Sequence, residues 1–195
     1  MVAVKGAASR PGGGSEAPVV LQRLFQPSSE RLAGQALYEA AIRQARQPAL
    51  YADLLAPDTP EGRFELYTLH VVLVLHRLKG LGGEAARVSQ ALFDAYVQAL
   101  DDALREMGVG DLSVGKKMRK LGEAFYGRAK AYQTALAEND REALVALIGR
   151  TVYADAPEAS REGLLAYIER CVAAKAATPV EAVLAARLAW PQIAP

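Results

Sequence analysis

The stretch DTPEGRFELYTLHVVLVLHRLKG, residues 58–80, restricts the fold more than any other part of the chain. It begins as helices begin. Asp58 or Thr59 can serve as N-cap, Pro60 fits the first turn, and Glu61 suits the positive end of the helix dipole. Arg77, Lys79 and Gly80 mark the other end. HVVLVLH alone would also fit a strand, because valine favours β structure, but the caps and the length select a helix. The segment is apolar over most of its circumference, so other helices must surround it. LHVVLVLHRL, residues 69–78, is too short and too interrupted to span a bilayer.

The surrounding segments follow the same grammar. Ser28 or Ser29 caps a helix from about 30 to 46, and QPALYADLLAPD gives a short helix with Pro48 near its first turn and Pro57 past its end. Residues 84 to about 107 form a long helix stopped by Gly108, and Asp111 caps the next. Asn139 or Asp140 starts another, and two more carry Pro157 and Pro179 in their first turns. The expected fold is all-α, a single-domain bundle of seven or eight helices. Residues 1–18 read as a flexible tail rich in Gly, Ala, Ser and Pro, and 19–190 as the helical domain, with VVLQRLF (19–25) able to dock on it.

The totals fit such a domain. The chain has 195 residues, 51% of them apolar, enough for one real core. Lys+Arg is 23 and Asp+Glu is 22, so net charge favours neither nucleic acid nor an acidic partner, and any preference must come from local clusters. The one cysteine, Cys171, reads as a small buried apolar residue, and a disulfide within the chain is impossible. The start lacks the apolar run of a secretory signal. These features fit a cytoplasmic protein that can rest at the inner face of a membrane.

Clustering is found in VGKKMRKLGEAFYGRAKAYQTAL, residues 114–136. At about 100° per residue, Val114, Met118, Leu121, Phe125, Tyr132 and Leu136 form one stripe, which must be buried. Gly115, Gly122 and Ala129 form a small-residue strip at its edge, which reads as a site of close helix packing. Gly127 projects from the opposite face beside Lys116, Lys120 and Lys130, with Lys117 and Arg128 flanking. A surface glycine forgoes about 1 kcal/mol relative to alanine, so either the helix bends there or something outside the domain comes close. The preceding helix carries Arg87, Asp94, Gln98, Asp101 and Arg105 on one polar face, whose carboxylates could pair with the basic helix or simply meet solvent. Asp101 and Asp102, being adjacent, point about 100° apart and do not form a catalytic dyad.

His70 and His76 are the two histidines, and their spacing sets them about 120° apart on one helix, unlike an i, i+4 metal pair. His70 shares a face with Arg63, Tyr67 and Arg77 and so could join a polar, partner-facing surface; a hydrogen-bonded interior histidine is the other reading. No glycine-rich phosphate loop, nucleophile elbow or clustered set of metal ligands is found in the sequence. No catalytic residue, cofactor or metal is assigned.

YADLLAPDTPEGRFELYTLHVVLVLHRLKG and LDDALREMGVGDLSVGKKMRKLGEAFYGRAKAY resemble the ubiquinol–cytochrome c chaperone family, and the compact form of the chain resembles its alphaproteobacterial branch. The likeness covers roughly residues 30–175, most specifically 60–136, with LREMGVGD and FYGRAKAY distinctive in combination. The resemblance implies an all-helical, non-enzymatic assembly factor that binds newly made cytochrome b of the bc1 complex. In mitochondria it also implies ribosome binding near the tunnel exit, with a small partner protein. It places Gly108, Gly110 and Asp111 in the interhelical turn, Lys116, Lys117, Arg119 and Lys120 in the basic segment, and Tyr126, Gly127 and Arg128 in the signature. No transit peptide is seen, as expected of a bacterial member. The partner-binding set is therefore Asp111, Lys116, Lys117, Arg119, Lys120, Tyr126, Gly127, Arg128 and Lys130, with His70 and Arg77. The partners would be cytochrome b or another respiratory subunit, and a ribosome or anionic membrane, but not DNA. The alternative is a helical carrier for haem, lipid or quinone, with a pocket lined by residues 64–78 and His70 or Tyr67 as its polar group.

Overall fold

Thr59 Oγ1 accepts a hydrogen bond from the Gly62 N–H at 3.1 Å, and Pro60 takes the first helical position, so the apolar helix starts where its sequence signals place it. The computed structural model describes residues 28–154 and 159–193. Among these, the helices are α1 (Ser29–Ala45), α2 (Pro48–Ala52), α3 (Pro60–Leu78), α4 (Gly83–Glu106), α5 (Asp111–Glu138), α6 (Arg141–Arg150), α7 (Ala159–Ala177) and α8 (Val180–Leu184), with no strand. The tail reading of residues 1–18, the docking segment 19–25 and Pro157 lie outside the described residues.

Helix α3 is central. It packs against α1, α4, α5 and α7, and Leu66, Leu69, Val71, Val72 and Val74 are fully buried. Fully burying each such side chain stabilises by about 1.5–3 kcal/mol, which is why an all-round apolar helix takes the middle of the bundle. Thr68, fully buried within it, has its Oγ1 2.8 Å from the Tyr96 hydroxyl of α4. Helix α1 lies along α4, and Gly34 lets the α4 backbone come close. A Cβ there would stand 2.5 Å from Ala91 Cβ and 2.6 Å from the Leu92 backbone nitrogen.

The turn between α4 and α5 is built by glycine. Gly108 has φ +77°, and Val109 N–H donates to Leu104 O at 3.0 Å, closing the end of α4. Gly110, not Asp111, is the N-cap of α5; Asp111 is the first helical residue and makes no side-chain cap. Pro179 likewise stands at the N-cap of α8 instead of in its first turn. That helix lasts five residues, after which Ala186 takes φ +57° and the chain continues without helix through Trp190.

The small-residue strip on α5 does not behave as expected. A Cβ added at Gly115 or Gly122 would meet nothing within 4 Å, so neither glycine admits a neighbouring backbone. Of that strip Ala129 alone is buried, and of the stripe Val114, Phe125 and Tyr132 are buried while Met118, Leu121 and Leu136 are half-buried. Close helix approach is made at Gly34 instead, because α1 and α4 are the pair pressed together along their lengths.

Candidate functional site

The outer side of α5 is the candidate surface. Its stripe docks on α3 and α4, which fixes the opposite face toward solvent. Lys116, Lys117, Arg119, Lys120, Tyr126, Gly127 and Lys130 are all exposed. Among the described residues, no carboxylate lies within 4 Å of Lys116, Lys117, Lys120 or Lys130. Arg119 has only a loose, exposed contact with Glu123 at 3.9 Å, worth little. Gly127 has open space where a Cβ would be. The acidic face of α4 does not answer these cations. Asp101 pairs with Arg105 at 2.6 Å, while Asp94 and Asp102 accept from Gln90 and Gln98.

Three residues of the expected set are engaged within the fold. Arg128 reaches inward to Glu65 of α3, with Nε 2.7 and 2.6 Å from the two carboxylate oxygens and Nη2 at 2.5 Å. Glu65 is 8% exposed, and its hydrogen bonds hold the Arg128 pKa above its ordinary value. Arg128 thus belongs to the α3–α5 joint. Arg77 donates from Nε to Lys175 O at 2.7 Å and from Nη2 to Thr178 O at 2.9 Å, closing the C-terminal end of α7.

His70 is fully buried, which removes it from any partner-facing surface. Its Nδ1 lies 2.8 Å from Leu66 O, and a carbonyl only accepts, so Nδ1 carries the proton. Nε2 then accepts from the Tyr167 hydroxyl at 2.9 Å, and Tyr167 accepts from Gln44 Nε2 at 3.0 Å. Burial pushes the imidazole down to about 3, so it stays neutral. The interior reading was open in the sequence; only α7, nearly a hundred residues away in the chain, supplies Tyr167 and decides it.

Asp111 remains exposed and accepts from Arg105 Nη1 at 2.5 Å, tying the two sides of the turn together. Beside the basic face runs a groove of about 980 Å³ between the end of α3, α4 and α5. Leu75, Leu78, Phe93, Phe125 and Tyr126 line it, and Lys130 stands at its edge. The Phe93 ring lies 5.2 Å from Phe125 and 5.4 Å from Tyr126, centroid to centroid. Phe93 was not singled out in the sequence, since α4 was read by its charges; an aromatic beside its apolar stripe was the available signal.

The ubiquinol–cytochrome c chaperone model matches residues 52–190. Among solved structures, the crystal structure of the Cbp3 homolog from Brucella abortus is similar, with 34% identity and a TM-score of 0.78, covering 90% of this chain and 98% of that one. The chain belongs to the ubiquinol–cytochrome c chaperone family. No curated protein matches it. The chaperone's two distinctive segments fall on the surface just described: LREMGVGD spans the α4–α5 turn and FYGRAKAY the middle of α5. The family, the all-α fold and the alphaproteobacterial kinship expected from the sequence are borne out. No helix among the described residues is long and apolar enough to cross a membrane.

Proposed function

We propose that this assembly chaperone holds newly made cytochrome b at the inner face of the membrane, and that the outer face of α5 is its docking surface. The observation that carries the reading is the row of exposed lysines at 116, 117, 120 and 130 with no carboxylate in reach among the described residues, beside an open Gly127. A folded protein gains nothing for its own stability by grouping unpaired cations, whereas near an anionic lipid surface each contributes about 1 kcal/mol. The cytoplasmic loops of membrane proteins are themselves basic. The client therefore meets the apolar groove of Phe93 and Tyr126 or the acidic face of α4, and the lysines face the lipid.

The carrier alternative has less behind it: the aliphatic residues from Leu66 to Val74 of α3 are packed into the core, Tyr67 accepts from Arg46 Nε at 2.8 Å, and both His70 nitrogens are engaged, while Leu75 and Leu78 line a groove that is open at the surface.

The test is the set Lys116→Glu, Lys117→Glu and Lys120→Glu in cells carrying a tagged chaperone. Membrane association should fall while the fold is kept, and cytochrome b should co-purify from the wild-type preparation. Unchanged membrane association removes the docking role. Failure to enrich cytochrome b removes the client, and a loss confined to ribosome co-sedimentation assigns the lysines to RNA.

A further inference from the structure

The α4–α5 turn carries features that a basic helix face alone does not explain. Leu112 is 102% exposed and Met107 66% exposed, on either side of a turn closed by Gly108 and Gly110. A single exposed leucine is unremarkable on a protein surface. Here two large apolar side chains stand at one tip, and the cations lie directly behind them. Lys116 is one turn beyond Leu112 and Lys120 two, roughly 6 and 12 Å further along the axis.

We propose that this tip inserts into the headgroup layer of an anionic bilayer, with Met107 and Leu112 as the apolar wedge and Lys116, Lys117, Arg119 and Lys120 as the collar that meets lipid phosphate. Apolar side chains at the interface reach about 5–10 Å into the headgroup and acyl boundary, and the nearest cation of the face, Lys116, stands roughly 6 Å behind Leu112 along the axis. The tip also contains carboxylates. Asp111 is paired with Arg105, and Glu106 is exposed. Residues 105–123 hold five cations against three carboxylates, so the tip stays positive. The inference rests on the membrane reading of the basic face and adds to it an apolar contact that charge alone would not need.

The experiment uses the full chain and vesicles of phosphatidylcholine with or without phosphatidylglycerol, read by flotation. Three variants are compared: Met107→Ser with Leu112→Ser, the three-lysine reversal, and Leu112→Trp. The serine pair should weaken binding to anionic vesicles roughly tenfold with every cation intact, and the lysine set should abolish it. Leu112→Trp should gain blue-shifted emission over the Trp190 baseline, quenched by brominated lipid. If the serine pair binds as the wild type does and the new tryptophan stays water-like, the wedge is refuted while basic-face docking stands. If the wild type ignores anionic vesicles, both fall. If the serine pair loses ribosome binding but keeps vesicle binding, the tip is a ribosome contact and the proposal is overturned.

Discussion

The joint between α3 and α5 gives the sharpest energetic prediction. Glu65 is 8% exposed and the Arg128 side chain 28%, and three N–O distances of 2.5–2.7 Å join them. Removing one partner of a buried pair costs about 3–5 kcal/mol, because the other charge is left uncompensated. Here the two sides are unequal. With Glu65→Ala, the guanidinium keeps a 3.4 Å contact with Ala124 O and some access to water, so the loss should be about 1–2 kcal/mol. With Arg128→Met, the carboxylate is stranded, and the loss should be about 2–3 kcal/mol. For a domain of this size that is a fall in Tm of roughly 4–12 °C. The double variant should lose less than the sum, with a coupling of about 1.5 kcal/mol in a urea-denaturation cycle. Arg128→Met should leave vesicle binding unchanged below its melting range. Additive single losses would refute the joint, and lost binding with unchanged Tm would return Arg128 to the docking surface.

Further outcomes follow from the same geometry. Gly115→Ala and Gly122→Ala, with open space at the added methyl, should each stabilise by about 0.5–1 kcal/mol in thermal denaturation. Gly34→Ala should instead destabilise by about 1–3 kcal/mol, since its methyl meets the α4 backbone. Lys175 is 1% exposed, and burial pushes it down to about 8 from 10.5, although its ammonium lies 3.2 Å from the centre of the Trp190 ring, which favours the charge. Between those pH values the unfolded chain binds the extra proton, so stability rises with pH. Lys175→Met should thus be more stable than the wild type by about 2–3 kcal/mol at neutral pH, an advantage that fades toward pH 10.5. A constant difference across that range in urea titrations would show that Lys175 keeps its ordinary affinity for protons.

The sequence by itself determined which segments are helices, where most of them begin and end, and which helix sits in the middle. Those properties are local: Thr59, Pro60 and Asp140 act on backbone groups within three residues, and an apolar circumference admits one environment. It also determined the inward stripe of α5 and the outward lysines, because angle follows from spacing along one helix. Only the tertiary structure decided which charges were left over. Glu65, Lys175 and Tyr167 come from other helices, and their meeting with Arg128, Arg77 and His70 turned three expected contacts into internal joints. The glycines divided on the same principle. Gly34 and Gly122 look alike in sequence, and only the distance to a neighbouring backbone separates a packing requirement from an open surface.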